Sequence, residues 1–344
     1  MKEMVQNKIK SLKVLGVSAG NGAVLFPFKQ NLIGNIESRS IFFTPGNAQW
    51  KLNFGDIPFW KEIPMELVEV KPDIIIGHPD CGHSSILAYS RAKKLSDPRE
   101  NKSLNLYFTC ITLFRPKLFL LENLPKLLQT IKPSDFDKML PGYEFRYING
   151  SVTYFGNSQK NRKRLVLIGI RKDTKLHIDD FKIKNYKRLT LTTNELIGDI
   201  MDSKPNIKLG HVREDLDDVI TLFGGFKMSL RNIQIGWMTK LANKSRWEVI
   251  GRKFTRAPGV YRNLPNELPN TVRKGNREFN PVGLMMSPRE RARIQGIPDE
   301  FKIWIDPDRL GFCINKGRVT VTKCFPYEIS EWFYQRIDNW YKKH

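Results

Sequence analysis

A cysteine set among glycine, proline, histidine and serine is the first residue in this chain that could do chemistry. Cys81 lies in residues 72–85, Pro-Asp-Ile-Ile-Ile-Gly-His-Pro-Asp-Cys-Gly-His-Ser-Ser. An isolated cysteine is usually a small buried hydrophobe. Here the surrounding turn residues argue for an exposed thiol, and an exposed thiol is a candidate nucleophile. Two further sets of residues could serve it. Glu122 ends the apolar run 117–123, Lys-Leu-Phe-Leu-Leu-Glu-Asn, and Arg162 and Arg164 precede and open the apolar run 165–170. A thiol, a carboxylate and two guanidiniums at the ends of neighbouring strands form a chemically coherent set.

The elements that must position these residues are strands of an α/β sheet. Ile74 to Ile76 read as a strand buried on both faces, which Gly77 and Pro79 end abruptly. Residues 117–123 and 165–170 read as two more strands, and alternation places Arg162 and Arg164 on one face. In such sheets ligands bind beyond the carboxyl ends of the strands, so Cys81 and Glu122 fall at one rim. A first strand over residues 13–17 opens into Ser18-Ala19-Gly20-Asn21-Gly22, a turn whose backbone amides can approach a nucleotide-like ligand. A second strand, residues 32–36, ends at Glu37, where an acidic residue accepts from a ribose hydroxyl. Residues 54–58, Phe-Gly-Asp-Ile-Pro, read as a third turn at a strand end. Residues 105–114 read as a helix against the sheet, with Cys110 in the core.

In order and spacing these segments resemble the DNA (cytosine-5) methyltransferase family over nearly the whole chain. The Cys81 turn resembles its Pro-Cys motif, Glu122-Asn123 its Glu-Asn motif, and Arg162-x-Arg164 its Gln-x-Arg-x-Arg motif. Residues 287–299, Ser-Pro-Arg-Glu-Arg-Ala-Arg-Ile-Gln-Gly-Ile-Pro-Asp, resemble its ninth motif, which organises a recognition domain, and Lys316-Gly317-Arg318-Val319 stands in the place of the last motif. The resemblance implies a Rossmann-like, S-adenosylmethionine-dependent methyltransferase sheet with a smaller target-recognition domain. It also implies a reaction in which Cys81 adds to C6 of a flipped-out cytosine while Glu122, Arg162 and Arg164 hold the ring. S-adenosylmethionine would be held by Val17, Ser18, Ala19, Gly20, Asn21, Gly22, Glu37, Asp56, Ile57, Asp80, Leu106 and Arg318. Ser85, Arg91 and Lys93, in a basic segment read as a lid, would meet DNA.

The chain departs from the family pattern at several positions. Asp80 stands where proline is usual, Gly82 where glutamine follows the nucleophile, Ala19 where glycine is typical, and Lys160 where glutamine opens the arginine motif. Arg318 replaces an asparagine near the sulfonium. A cation there would suit a donor whose transferred carbon bears a carboxylate, carboxy-S-adenosylmethionine, giving 5-carboxymethylcytosine. A non-catalytic DNA-binding homologue and an RNA cytosine methyltransferase are the other readings.

A formal charge of +22 over 344 residues points to a polyanionic partner, and double-stranded DNA is the natural one. With no long apolar run and no signal-peptide pattern, a soluble cytoplasmic protein without membrane association is expected. The four scattered cysteines fit a reducing compartment, and the five histidines form no metal signature; His78 and His83 flank the cysteine without a second ligand pair. Residues 1–172 are expected to form the catalytic, cofactor-binding domain. Residues 173–286 lose the βα rhythm and are expected to form the recognition domain, with Arg246, Arg252 and Arg256 as candidate DNA contacts beside Lys253 and Arg262. Residues 287–344 would carry the motif helix and return to the catalytic domain. A monomer is expected, and a restriction partner is not legible.

Overall fold

The computed structural model describes residues 11–39, 46–80, 101–183, 190–201, 203, 206, 219–222, 226–229, 260–272, 277–281, 286–304, 321 and 324–343. The chain divides into two compact units, one formed by residues 1–157, 161–189 and 324–344, the other by 158–160 and 190–323.

The first unit is built on a seven-stranded sheet of β1 (Val14–Val17), β2 (Leu32–Ile36), β3 (Phe59–Trp60), β4 (Ile74–Gly77), β5 (Leu118–Asn123), β6 (Tyr143–Ser151) and β7 (Lys163–Arg171). Their order is β3-β2-β1-β4-β5-β7-β6. The first five run parallel, and β7 lies antiparallel to both β5 and β6. The chain leaves β1 for β2 on one side and reaches β4 on the other, so strand order reverses at β1, the place where such sheets bind ligands.

Burial explains why the central strands are apolar throughout. β1, β4 and β5 are buried at every position, as parallel strands covered on both faces must be. On one face Leu15, Val17, Ile75, Phe119, Leu121, Leu165 and Leu167 pack with Leu104, Tyr107, Cys110, Ile111 and Phe114 of the Lys102–Phe114 helix, a stripe at helical spacing. The Asn101 side chain caps that helix, accepting from the backbone amides of Ser103 at 3.1 Å and Leu104 at 3.2 Å. Gly77 is required where the helix crosses β4: a Cβ there would lie 2.2 Å from the Tyr107 ring and 2.6 Å from the Val17 carbonyl oxygen. Cys110 is core, as its sequence context indicated, and burial pushes its thiol up to about 12.

The closing helix, Tyr327–Lys343, buries Ile329, Trp332, Phe333 and Ile337. It meets the 3-10 segment Ala23–Asn31 that follows the glycine turn, with Phe28 5.2 Å from Tyr334 and 6.2 Å from Phe333. One local expectation is corrected. Residues 54–58 do not follow a strand; they follow the Gly46–Phe54 helix and lead into β3.

In the second unit, Pro288–Ile294 is a helix with the capping box its sequence announces. Ser287 Oγ accepts from the Glu290 amide at 3.2 Å, and Glu290 Oε2 accepts from the Ser287 amide at 2.7 Å. Its arginines brace this unit from within. Arg289, buried, donates to the carbonyls of Phe301 at 2.7 Å and Pro298 at 3.1 Å, and burial pulls its guanidinium down to about 10. Arg293 pairs with Asp299 and Asp199, both at 2.5 Å. Gln295 Oε1 accepts from Gln159 Nε2 at 2.9 Å, and Gln159 Oε1 accepts from the Val272 amide at 2.9 Å.

Candidate active site

The carboxyl ends of β1, β2, β4 and β5 converge on one rim, and each ends in a polar residue the sequence supplied there. After β1 the chain turns sharply: Ser18, Gly20 and Gly22 take positive φ of 55°, 69° and 85°. Serine in the left-handed region is strained, and the neighbouring strand stabilises it, since the Ser18 amide donates to the Ile36 carbonyl at 2.7 Å. Gly22 admits no side chain, because a Cβ would lie 2.4 Å from the Phe54 ring.

Glu37, just beyond β2, is fully buried and draws the turn together. Its Oε2 accepts from the Gly20 amide at 2.9 Å. Arg39 lies across it, donating from Nε to Oε1 at 2.7 Å and from Nη2 to Oε2 at 2.7 Å, a two-pronged pairing. The same guanidinium donates to the His78 carbonyl at 2.9 Å and to the Ser18 carbonyl, so one cation ties together the ends of three strands. Nothing in the sequence pattern singled out Arg39; its position two residues after a strand-end carboxylate is the only signal.

In this turn and on the neighbouring strand β2, three buried polar atoms have no protein partner: Ser18 Oγ, Asn21 Nδ2 and Asn35 Nδ2. Buried polar groups are ordinarily paired, so an unsatisfied trio around a glycine turn suits a polar ligand. Asn21 Oδ1, by contrast, is engaged, accepting from the Ala23 amide at 3.0 Å and from Cys324 Sγ at 2.8 Å. Burial pushes the Cys324 thiol up to about 12, which keeps it protonated as that donor.

The second half of the rim centres on Glu122. This carboxylate is fully buried at the end of β5 and lies between the side chains of Arg164 and His78. Oε1 is 2.6 Å from Nε of Arg164, and Oε2 is 2.5 Å from Nδ1 of His78. β7 pairs antiparallel with β5, matching Val166 to Glu122, and that register delivers Arg164 to the carboxylate. Neither oxygen receives an aligned hydrogen bond from the protein, so the carboxylate keeps acceptor capacity for another group. Arg162 does something different from Arg164. It is buried and donates from Nη2 to the Cys324 carbonyl at 3.0 Å, fastening the segment before the closing helix.

The backbone leading to residue 81 is pinned from two elements. The Asp80 amide donates to Ser103 Oγ at 2.7 Å, Asn101 Nδ2 donates to the Asp80 carbonyl at 2.5 Å, and Asn123 Nδ2 donates to the Pro79 carbonyl at 3.3 Å. The strand-end Glu122-Asn123 pair thus divides its work: a charge for the site, and an amide for the turn.

A family model of C-5 cytosine-specific DNA methylases matches residues 38–313. The chain belongs to that family. Membership implies S-adenosylmethionine as the methyl donor, and the unsatisfied polar atoms around the glycine turn fit such a ligand. Among curated relatives, the type II methyltransferase M.Bpa9945I of Bacillus paralicheniformis is 27% identical, the match covering 67% of this chain and 63% of that protein. This chain therefore spans a little under two thirds of that relative's length. Type II methyltransferase M.MthTI of Methanothermobacter thermautotrophicus is also 27% identical, covering 67% of this chain and 70% of that one. Two solved structures share the fold. A prophage-encoded E. coli protein described as a DNA modification methyltransferase superposes with a TM-score of 0.63 at 18% identity, covering 96% of this chain and 99% of that one. The Entamoeba histolytica methyltransferase EhMeth gives 0.63 at 15% identity, covering 96% and 98%.

Among the remaining residues expected at the site, Val17 and Ala19 are buried at the end of β1, and Leu106 is half-buried against the core. Ile57 is half-buried, its carbonyl held by Trp50 Nε1 at 2.6 Å, while Asp56 and the Asp80 side chain are exposed. Cys81, Ser85, Arg91, Lys93, Arg246, Arg252, Arg256 and Arg318 lie outside the described residues. Sequence reasoning missed two residues here, Arg39 and His78. His78 had been weighed only as a metal ligand, although its place at the end of β4, three residues before Cys81, was the signal available.

Proposed function

We propose that this chain is a DNA cytosine C5-methyltransferase that works through a covalent bond between Cys81 and C6 of an extruded cytosine. The observation that carries the reading is Glu122, a fully buried carboxylate with free acceptor capacity, at the rim toward which the Cys81 turn leads.

Cytosine C5 is too weak a nucleophile to take a carbon group unaided. Attack of the Cys81 thiolate on C6 shifts the C5=C6 pair toward C4 and the C4=N3 pair onto N3, leaving an enamine with electron density at C5. Glu122 hydrogen-bonds N3 as that charge develops, and Arg164 fixes the carboxylate from its other oxygen. Asn101, Ser103 and Asn123 hold the backbone that presents the thiol. Ser18, Gly20, Asn21 and Glu37 would hold the donor, with the ribose hydroxyls sharing Glu37 with Arg39. When bound, S-adenosylmethionine supplies an electrophilic methyl group at C5. Loss of the C5 proton then re-forms the C5=C6 bond, expels the thiolate and restores Cys81.

The reactive ring edge is closed off inside a duplex, so the target nucleotide has to be flipped out, and the +22 charge supplies backbone affinity for doing so. Base reading is assigned to the second unit, where Arg246, Arg252 and Arg256 belong by sequence position.

Mass spectrometry of nucleosides from unmodified duplex DNA incubated with protein and S-adenosylmethionine tests the reading. The expected product is 5-methylcytosine, absent with Cys81→Ser. Duplex DNA carrying 5-fluorocytosine should trap the protein covalently; failure to form an adduct together with absence of product supports a DNA-binding homologue instead. A parallel arm with carboxy-S-adenosylmethionine examines Arg318. Product of mass matching 5-carboxymethylcytosine, lost in Arg318→Asn, assigns the carboxylated donor.

A further inference from the structure

The Glu122 carboxylate has a partner the proposed reaction does not yet use. His78 Nδ1 approaches Oε2 to 2.5 Å, and the imidazole is largely buried, 12% exposed, with its edge on the Phe325 ring at 5.7 Å. An unprotonated nitrogen facing a carboxylate oxygen at that distance would set two lone pairs against each other. A proton on either atom relieves that opposition, and the two atoms are close enough to exchange one once the contact, unaligned here, is aligned. On the carboxylate's other side, Arg164 Nε lies 2.6 Å from Oε1. A carboxylate so held is a good acceptor but lacks the proton that N3 takes when the thiol adds.

We propose that His78 is the positioning residue that holds this proton and delivers it through Glu122. This rests on the cytosine-methylation reading given above. In the resting site the proton sits on Nδ1, opposite an ionised Glu122. As the C6–S bond forms and the C4=N3 pair moves onto N3, the Nδ1 proton moves to Oε2 and passes on from the carboxyl group to N3, leaving His78 neutral and Glu122 ionised. When the C5 proton leaves to solvent and the C6–S bond breaks, the N3 proton returns to Glu122 and thence to His78. No net proton is consumed at the pair.

Charged and titratable groups face this pair from every neighbouring element. Arg39 donates to the His78 carbonyl from beyond β2, and Asp80 follows two residues later with its side chain exposed. Arg164 reaches Glu122 from β7. Arg162, just before β7, donates to the Cys324 carbonyl on the segment before the closing helix, where the Cys324 thiol is protonated. Among the side-chain types named here, imidazole is the one that ordinarily exchanges a proton near neutral pH.

The test reads hydrogen exchange at cytosine C5, which needs thiol addition and N3 protonation but no methyl donor. Full-length protein is incubated with mixed-sequence duplex DNA tritiated at C5, and tritium release is followed from about pH 5.5 to pH 8.5. Ionisation of Cys81 raises the rate with pH, whereas emptying of His78 lowers it, so the two limbs have opposite sign. The expected profile falls through the imidazole range. His78→Gln keeps a hydrogen-bonding side chain without a titratable proton; it should lose the falling limb and slow exchange by about 10²-fold, with little change in KM for DNA. A wild-type rate that does not fall above the imidazole range overturns the inference whatever the variant does. So does a His78→Gln protein with wild-type rate and profile. Absence of both exchange and 5-methylcytosine in the wild type would refute the methylation reading itself, and this inference with it. Methylated product with a flat alkaline limb would refute the inference alone.

Discussion

The pairing of Glu122 with Arg164 makes a prediction that separates a buried charge from a merely polar contact. Arg164→Met removes the guanidinium paired with a carboxylate that has no exposure to water, leaving the His78 imidazole as its close neighbour among the described residues. Breaking a buried pair by deleting one partner costs about 3–5 kcal/mol, because the remaining charge is stranded. Arg164 is 17% exposed and makes a single-pronged 2.6 Å approach, so the expected loss lies near the low end, about 3 kcal/mol.

Glu122→Gln behaves differently. It removes the charge and keeps the shape, so Arg164 is left at a partly wet position where a lone guanidinium is tolerated. The double variant, with neither charge, should be more stable than Arg164→Met alone, giving a coupling of about 1–3 kcal/mol in the cycle. Urea denaturation of the four proteins, followed by circular dichroism at neutral pH, measures it. Additive losses, or an Arg164→Met protein as stable as wild type, would show that Glu122 is not held as a charge by Arg164.

Three other outcomes can be checked with modest effort. Trp332→Ala, in a side chain wholly buried against Phe155 and Phe181, should cost about 3–5 kcal/mol in the same denaturation assay. Glu37→Gln should weaken S-adenosylmethionine binding by about tenfold in calorimetry while duplex affinity stays unchanged, because one charge-assisted acceptor is worth about 1.4 kcal/mol there. Burial pulls the Asp299 carboxyl up, but its bond and charge pairing with Arg293, and the charge of Arg289, outweigh this and hold it below the usual carboxylate value. Its stabilisation is thus full above about pH 4 and is lost as pH falls through the lowered value, so Asp299→Asn should flatten the acid limb of the stability profile.

The central strands and the capped helix at Ser287 were legible because each carries a strong local signal: an apolar run closed by glycine or proline, or a serine followed three residues later by glutamate. Glu37, Glu122 and the glycine turn were legible for the same reason, as polar residues placed where such strands end. β6 was not foreseen, since Tyr143–Ser151 is half-exposed and mixes charge with aromatics, and β3 is only two residues long. The turn at residues 54–58 was assigned to the wrong kind of element because Gly46–Phe54 has almost no apolar stripe, so periodicity is silent there. Arg39 and His78 were missed for a deeper reason. Arg39 reaches the ends of β1 and β4, and His78 reaches the end of β5, and only the strand order 2-1-4-5 brings residues 37, 39, 78 and 122 within reach.

That strand order also makes residue 78 a joint between the two halves of the rim. Its carbonyl accepts from Arg39, which is clamped on Glu37, and its ring faces Glu122. Each rim carboxylate is thereby matched with an arginine, Glu37 with Arg39 and Glu122 with Arg164, and the β4 turn touches both pairs. A glycine at 78 would still offer the carbonyl to Arg39, but would take the imidazole away from Glu122 and leave Arg164 as its partner among the described residues. A histidine adds a ring nitrogen facing that carboxylate. A substitution that disturbs the backbone would loosen Arg39 as well, and its effect on rate would mix donor binding with proton supply. Glutamine at 78 leaves the carbonyl in place, so any change it brings is attributable to the ring.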